Sequence, residues 1–140
     1  MSHREISAWV MGSILIIAGI YYFRLVAQAS AALGEVSPPV IGFVIAYVIF
    51  VVITSVIAMS ILGVSNHQEA NAPADEREKQ IIDKAGHWSG YVMAFGVVTG
   101  LLLYAVTQDG NRLFHIAFGS LMVSQIAEYA FQIWLYRKGE

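Results

Sequence analysis

The segment from Pro39 to Leu62 reads PVIGFVIAYVIFVVITSVIAMSIL and contains no charged residue. A helix needs about 20 predominantly apolar residues to cross the roughly 30 Å hydrocarbon core of a bilayer, and this segment is long enough. Because a bilayer offers no water to hydrogen-bond an open backbone, the segment is predicted to be a transmembrane helix. If this segment spans a membrane, the rest of the chain should also have the composition of a membrane protein.

Three more apolar segments of comparable length accompany this one. The 140 residues are 57% hydrophobic and only 13% charged, with a mean hydropathy of +0.62. A soluble domain carries about 25% charged residues, so the composition favours a chain solvated by lipid. We predict an all-α, four-helix transmembrane bundle of two antiparallel hairpins, in a single domain over residues 1–140. The predicted spans are about 6–26, 39–62, 86–106 and 112–136, and loop 63–85 joins the two hairpins.

The positively charged residues are distributed unevenly between the two sides of the predicted bundle. The termini and the second loop hold six Lys and Arg residues, whereas the opposite side holds two. Because segments rich in Lys and Arg stay in the cytoplasm, both termini and loop 63–85 are predicted to be cytoplasmic. The six residues are Arg4, Arg77, Lys79, Lys84, Arg137 and Lys138, and the two are Arg24 and Arg112.

The end of the second loop contains a predicted helix start. Asp75 is followed three residues later by Glu78, which is typical of an N-cap with an acidic first turn. The helical pattern continues from there into the third span. Helix three is therefore predicted to extend from the membrane into the cytoplasm.

The string ADEREKQIIDKAGHWSGYVM, from Ala74 to Met93, resembles a motif of small bacterial membrane proteins of unknown function. In that family a D-E-R-x-x-x-I motif leads into a transmembrane helix. The resemblance implies a protein of a bacterial inner membrane and supplies no catalytic residue. Its charged residues are candidates for docking a partner, and the alternative is a solvated, capped helix start. The matching residues are Asp75, Glu76, Arg77, Ile81 or Ile82, Lys84 and Ala85.

Small residues recur at four-residue spacing on two faces of the predicted third span. Gly86, Gly90 and Ala94 share one face, and Gly96 and Gly100 share another. Small residues at this spacing let membrane helices approach closely. Both faces are therefore predicted to pack, either within the chain or against a second protomer.

A polar stripe interrupts the fourth predicted span. At about 100° per residue, Gln125, Glu128 and Gln132 fall within one narrow arc of the helix. Trp134 is expected at the membrane interface, as in an aromatic belt, so Glu128 lies about 9 Å further in at about 1.5 Å per residue. An ionisable residue at such a depth is a candidate functional residue, and it needs a partner.

No cation of the chain is expected at the depth of Glu128. Ser13, Tyr91 and either Thr54 or Ser55 are predicted at this depth, and all are neutral hydrogen-bond donors. We therefore expect that Glu128 carries a proton or that its carboxylate faces a cavity filled by water or ligand. The alternative is structural: the stripe hydrogen-bonds to neighbouring helices or to a second protomer.

The sequence favours no metal or cofactor chemistry. It has no cysteine, which excludes disulfides and thiolate sites. His87 and His115 are predicted at opposite ends of their spans, so a haem held by both is not expected. A surface metal site formed by His3, His67 and His87 is an alternative. No cofactor is predicted, and a bound lipid is left open.

Two functions from different classes fit these patterns. The first is a non-enzymatic membrane protein that assembles with itself or regulates another membrane protein, since no nucleophile–base pair, phosphate loop or basic nucleic-acid patch is present. The second is a small proton- or cation-coupled transporter or channel that uses Glu128. Small multidrug transporters also combine four spans with a membrane glutamate, but here the glutamate is in the last span. An enzyme acting on lipid or quinone is a third interpretation, which lacks a catalytic constellation.

Overall fold

The computed structural model describes residues 3–65 and 75–139, and this part of the chain is entirely helical. The predicted all-α class is therefore confirmed for the described residues. Residues 66–74 of the predicted loop 63–85, which include His67 and Ala74, lie outside them. The helices are α1 (His3–Leu33), α2 (Ile41–Ser65), α3 (Glu76–Thr107) and α4 (Gly110–Lys138).

Two helices, α1 and α4, occupy the centre of the structure. They pack against each other, while α2 packs on α1 and α3 packs on α4. Each packed pair is antiparallel: Glu5 of α1 lies at the end of α4 that holds Arg137, and Phe23 lies near Gly119. The helices joined by short connections are thus direct neighbours, as expected for two hairpins.

Small residues set the close approach of the packed helices. A Cβ atom added at Gly96 of α3 would collide with the side chain of Ser120 on α4. At Gly100 the added atom would lie 2.9 Å from Cγ2 of Ile116. Between α1 and α4, an added Cβ at Gly12 would lie 3.5 Å from Cβ of Tyr129. Close contacts of this kind are typical of helices that pack without a large side chain between them.

Both ends of α3 follow from local sequence. The Asp75 carboxylate accepts a hydrogen bond of 2.7 Å from the backbone N–H of Glu78, which confirms the predicted N-cap. The helix runs without interruption to Thr107, and Gln108 then adopts a left-handed conformation with φ of 55°. Asp109 caps α4 by accepting from the N–H of Arg112. Two residues therefore suffice to reverse the chain between α3 and α4.

Three of the helices, α1, α2 and α3, are long and apolar enough to cross a membrane. The fourth predicted span, in α4, falls short of the same measure of apolar character. Its position explains the difference, because α4 lies between α1 and α3 and directs polar side chains towards them. Among the described residues, α2 buries no side chain at all, whereas α4 buries four polar ones. These are His115, Ser120, Ser124 and Gln132.

All three tryptophans lie at one end of the structure, which we call the tryptophan end. The rings of Trp88 and Trp134 are 5.9 Å apart, and Lys138 lies 5.0 Å over the Trp134 ring. Arg137 lies over Trp9 on α1, and Lys84 lies over Trp88. Tryptophan rings beneath cationic side chains are typical of the boundary between hydrocarbon and lipid headgroups.

Candidate functional site

The polar stripe of Gln125, Glu128 and Gln132 runs along α4 away from the tryptophan end. Gln132 is nearest that end and is 9% exposed, Glu128 is half-buried, and Gln125 is exposed. The Gln132 amide Nε2 donates a hydrogen bond of 3.4 Å to Oε1 of Glu128. The stripe is therefore buried at its Gln132 end and exposed at its Gln125 end. The Glu128 carboxyl lies between the two.

The stripe lies between the two sides of α4 that pack against other helices. On one side the Ser124 hydroxyl donates a buried bond of 3.0 Å to the Ser89 carbonyl of α3. On the other side Tyr129 packs on Gly12 of α1. Glu128 is four residues from Ser124 and one from Tyr129, which places it between these sides at about 100° per residue. Packing on α1 and α3 thus positions the carboxyl while leaving it accessible.

None of the neutral donors Ser13, Ser55 and Tyr91 is hydrogen-bonded to Glu128, and two of them have other partners. The Ser13 hydroxyl donates to the Trp9 carbonyl of its own helix, at 2.8 Å. The Tyr91 hydroxyl is exposed and lies 3.0 Å from Nε2 of His87. Ser55 is on α2, and within the described residues its buried hydroxyl has no hydrogen-bond partner. These residues were predicted from their depth along the helices, but depth alone does not decide which face of a helix a side chain occupies.

No cation compensates the Glu128 carboxyl within residues 3–65 and 75–139. The ion pairs described there lie near the ends of the helices. At the tryptophan end, Arg4 pairs with Glu78 at 2.8 Å and Arg137 pairs with Glu5 at 3.3 Å. Within the described residues, the hydrogen bond from Gln132 is the polar contact of this carboxyl.

A polar cavity of about 250 Å³ lies at the tryptophan end, and we call it the ion-paired cavity. The hydroxyl of Tyr136 is buried beside it and has no hydrogen-bond partner among the described residues. Tyr136 continues the four-residue spacing of Glu128 and Gln132, so the sequence already places it on the same face of α4. The cavity is lined by Glu5, Asp75, Arg77, Glu78, Ile81 and Tyr136.

The candidate docking residues at the start of α3 have structural roles. Asp75 caps the helix, and Glu76 pairs with Lys79 at 2.8 Å. Arg77 is exposed and lines the ion-paired cavity. A capped helix start accounts for the first two residues, and their use in docking stays a prediction.

The two small-residue faces of α3 differ in the structure. Gly96 and Gly100 are pressed against α4. Gly86 and Gly90 have no atom within 4 Å of an added Cβ, and Ala94 is exposed. One face therefore packs within the chain, and the other is uncovered.

A buried histidine ties the α1–α2 connection to α4, and sequence reasoning did not find it. His115 Nε2 lies 2.8 Å from the Ser37 carbonyl, which can only accept, so Nε2 carries the proton. Nδ1 lies 3.4 Å from the Tyr22 hydroxyl. Among the described residues, no group of three or more His, Asp or Glu side chains is arranged to hold a metal ion. The contacts with Ser37 and Tyr22 make His115 a hydrogen-bonded anchor for the loop.

Comparison with known proteins adds no family to this geometry. No protein-family model, no curated protein and no solved structure matches the chain. The resemblance of Asp75, Glu76 and Arg77 to the D-E-R-x-x-x-I motif therefore stays a prediction.

Proposed function

We propose that this chain is a non-enzymatic, multi-pass protein of a bacterial inner membrane with both termini in the cytoplasm. It assembles through the polar stripe of α4, either with a second copy of itself or with another membrane protein. The observation that carries the proposal is the open end of the stripe: Gln125 is exposed and Glu128 is half-buried with no cation beside it.

The depth of the stripe makes its exposure unfavourable in a lone chain. Glu128 is six residues from Trp134, or about 9 Å along the helix, and Gln125 is about 13 Å away. If the tryptophan end marks the interface, both side chains lie in hydrocarbon. A carboxyl or amide without partners is costly there, by about 2.5–3.5 kcal/mol for an acidic side chain at mid-membrane on the insertion scale. Covering the stripe relieves that cost.

A second copy supplies matching chemistry. A two-fold axis beside α4 would lay one stripe on the other, because a two-fold interface is self-complementary. The Gln125 amide of one copy could then donate to the Glu128 carboxyl of the other, whether or not that carboxyl is ionised. Bonds of this type contribute about 0.6–2 kcal/mol each between membrane helices, so several are needed for a stable assembly.

Cysteine cross-linking in membranes tests the proposal directly, since the natural chain has no cysteine. Gln125→Cys places a thiol on the stripe. Val123→Cys is the matched control, because it is also exposed but lies about 200° around the same helix. We expect disulfide-linked dimers, or links to one other membrane protein, for Gln125→Cys alone. Equal cross-linking at both positions, or none at either, contradicts the proposal.

A second candidate function is a proton- or cation-coupled transporter that uses Glu128. It is favoured by the polar side chains of Tyr136, Gln132 and Glu128, which succeed one another at four-residue spacing from the ion-paired cavity to the carboxyl. Such a row can lead a proton or water from one side of a membrane towards a buried acid. The row would let a proton or water reach Glu128 from the tryptophan end.

Proton flux distinguishes the two functions. In liposomes containing a pH-sensitive dye, transport predicts that Glu128→Gln abolishes flux, whereas the exposed Glu35→Gln control retains it. Assembly alone predicts no flux from any variant, with cross-linking at Gln125→Cys preserved when Glu128→Gln is added. Flux that survives Glu128→Gln excludes this residue as the coupling site.

A further inference from the structure

An apolar groove lies between α1 and α2, away from the polar stripe. It has a volume of about 450 Å³ and is open along one side. Two small side chains, the buried Ala18 and the exposed Ala46, line it together with several aromatic rings. The lining residues are Ile17, Ala18, Tyr21, Tyr22, Leu25, Phe43, Ala46, Tyr47 and Phe50. We call it the α1–α2 groove.

A positive charge lies beside the groove on α1. Arg24 is outside the groove lining, but it follows Tyr21 by three residues and Ile17 by seven, which places it at the edge of the lining face. It is exposed, and among the described residues it has no ion-pair or hydrogen-bond partner. The hydroxyls of Tyr21 and Tyr47 also lack hydrogen-bond partners within that part of the chain. Hydrogen-bond donors without a described partner therefore lie in and beside the lining of the groove.

We propose that the α1–α2 groove binds one anionic phospholipid, with an acyl chain in the groove and the phosphate at Arg24. The proposal rests on the membrane location proposed above, but not on the role of Glu128. The site would lie in the leaflet opposite the tryptophan end, because Arg24 is towards the far end of α1.

The dimensions fit a single acyl chain. The groove extends along α1 from Ile17 to Leu25, which is about 12 Å at about 1.5 Å per residue. One leaflet contributes about 15 Å of the hydrocarbon core. The groove therefore covers most of the depth of one leaflet. Arg24 is fifteen residues from Trp9, or about 22 Å along α1, so its Cα lies about 8 Å inside the far boundary of the core and its long side chain extends towards the headgroups. A guanidinium can form two parallel hydrogen bonds to phosphate, and the tyrosine hydroxyls can donate to the ester oxygens.

Other charges at this end do not compete for the phosphate. Arg112 is already paired with Asp109 at 3.6 Å. Glu35 lies beyond the end of α1 at Leu33, which is nine residues, or about 14 Å, along the helix from Arg24. Arg24 is therefore the cation available to a headgroup beside the groove.

The test uses the full-length protein in nanodiscs containing equal amounts of phosphatidylglycerol and phosphatidylcholine. Native mass spectrometry then identifies the lipids retained on release. The unmodified protein is expected to retain one phosphatidylglycerol in preference to phosphatidylcholine. Arg24→Gln should lower that preference about fivefold, the factor that matches about 1 kcal/mol per basic residue near a membrane surface. The control Arg112→Gln makes the same charge change outside the groove and should retain the preference.

A substitution that fills the groove tests the lipid site independently of Arg24. Ala46→Phe occupies the space from the exposed surface of α2 and should reduce retention of both lipids. Ala105→Phe is the matched control, since Ala105 is exposed on α3 away from the groove. If Ala46→Phe does not fold, the lipid preference of Arg24→Gln still decides the matter.

Several outcomes would overturn the lipid site. Equal retention of the two lipids by the unmodified protein, or an unchanged preference in Arg24→Gln, contradicts a phosphate site at this residue. Retention that is unaffected by Ala46→Phe contradicts the acyl-chain position. A retained molecule without phosphate, such as a quinone, also overturns the proposal. Failure to enter nanodiscs refutes the proposed membrane location itself, which is a separate result.

Discussion

Gly96→Ala should destabilise the packing of α3 on α4, and Gly90→Ala should not. The two substitutions are identical and lie in the same helix. Alanine has a higher helix propensity than glycine by about 0.8–1 kcal/mol, so each variant gains that much in the helix itself. At Gly90 no other atom lies within 4 Å of the new Cβ, and the gain is retained.

At Gly96 a larger cost opposes this gain. The new Cβ would collide with the Ser120 hydroxyl and lie 2.6 Å from its Cβ, so α3 and α4 must move apart. Overpacking of this kind costs about 1–3 kcal/mol. The propensity gain is common to both variants, so we expect Gly96→Ala to be less stable than Gly90→Ala by about 1–3 kcal/mol.

Reversible unfolding in mixed micelles, followed by circular dichroism, measures this difference. Adding Ser120→Gly to Gly96→Ala removes the colliding atoms and should recover a measurable part of the lost stability, which makes the pair non-additive. Equal stability of Gly96→Ala and Gly90→Ala, or strict additivity in the double variant, would refute the close approach at Gly96.

Three further substitutions test individual contacts with the same unfolding assay or with amide exchange. Ser124→Ala removes the buried bond to α3 and should cost about 0.5–1.5 kcal/mol; an unchanged stability contradicts that contribution. His115→Ala leaves the Ser37 carbonyl without its partner and should cost about 1–3 kcal/mol, with faster amide exchange across residues 34–40. Exchange that stays at the original rate would show that His115 does not anchor the loop. Asp75→Ala removes the α3 N-cap and should cost about 0.5–2 kcal/mol, seen as faster exchange in the first turn; an unaffected first turn contradicts the cap.

The helices could be predicted from the sequence because their signals are local. The uncharged run of α2 and the Asp75 cap each depend on residues close together in the chain. The close contact at Gly96 was also foreseeable as one of two packing faces. Which face would meet α4 was not foreseeable, since the spacing of small residues is the same on both.

The surroundings of Glu128 could be predicted only in part. Its position on a polar stripe follows from helical periodicity, and its lack of a cation follows from the distribution of charge along the chain. Its neighbours depend on how helices rotate about their axes. Ser13 satisfies its hydroxyl on its own helix, a local choice that depth arguments do not include. The His115–Ser37 contact joins residues 78 apart in sequence, so no local sequence pattern predicts it.

The central position of α4 has a consequence for membrane insertion. A segment with this many polar side chains partitions poorly into lipid as a single helix. Because only two residues connect α3 to α4, the two helices reach the membrane almost together. Polar groups such as the Ser124 hydroxyl can then hydrogen-bond to α3 while the helices insert. Insertion of the pair as a helical hairpin, after α1 is in place, would spare α4 from facing lipid alone. The apolar α2 has no such requirement and can enter by itself.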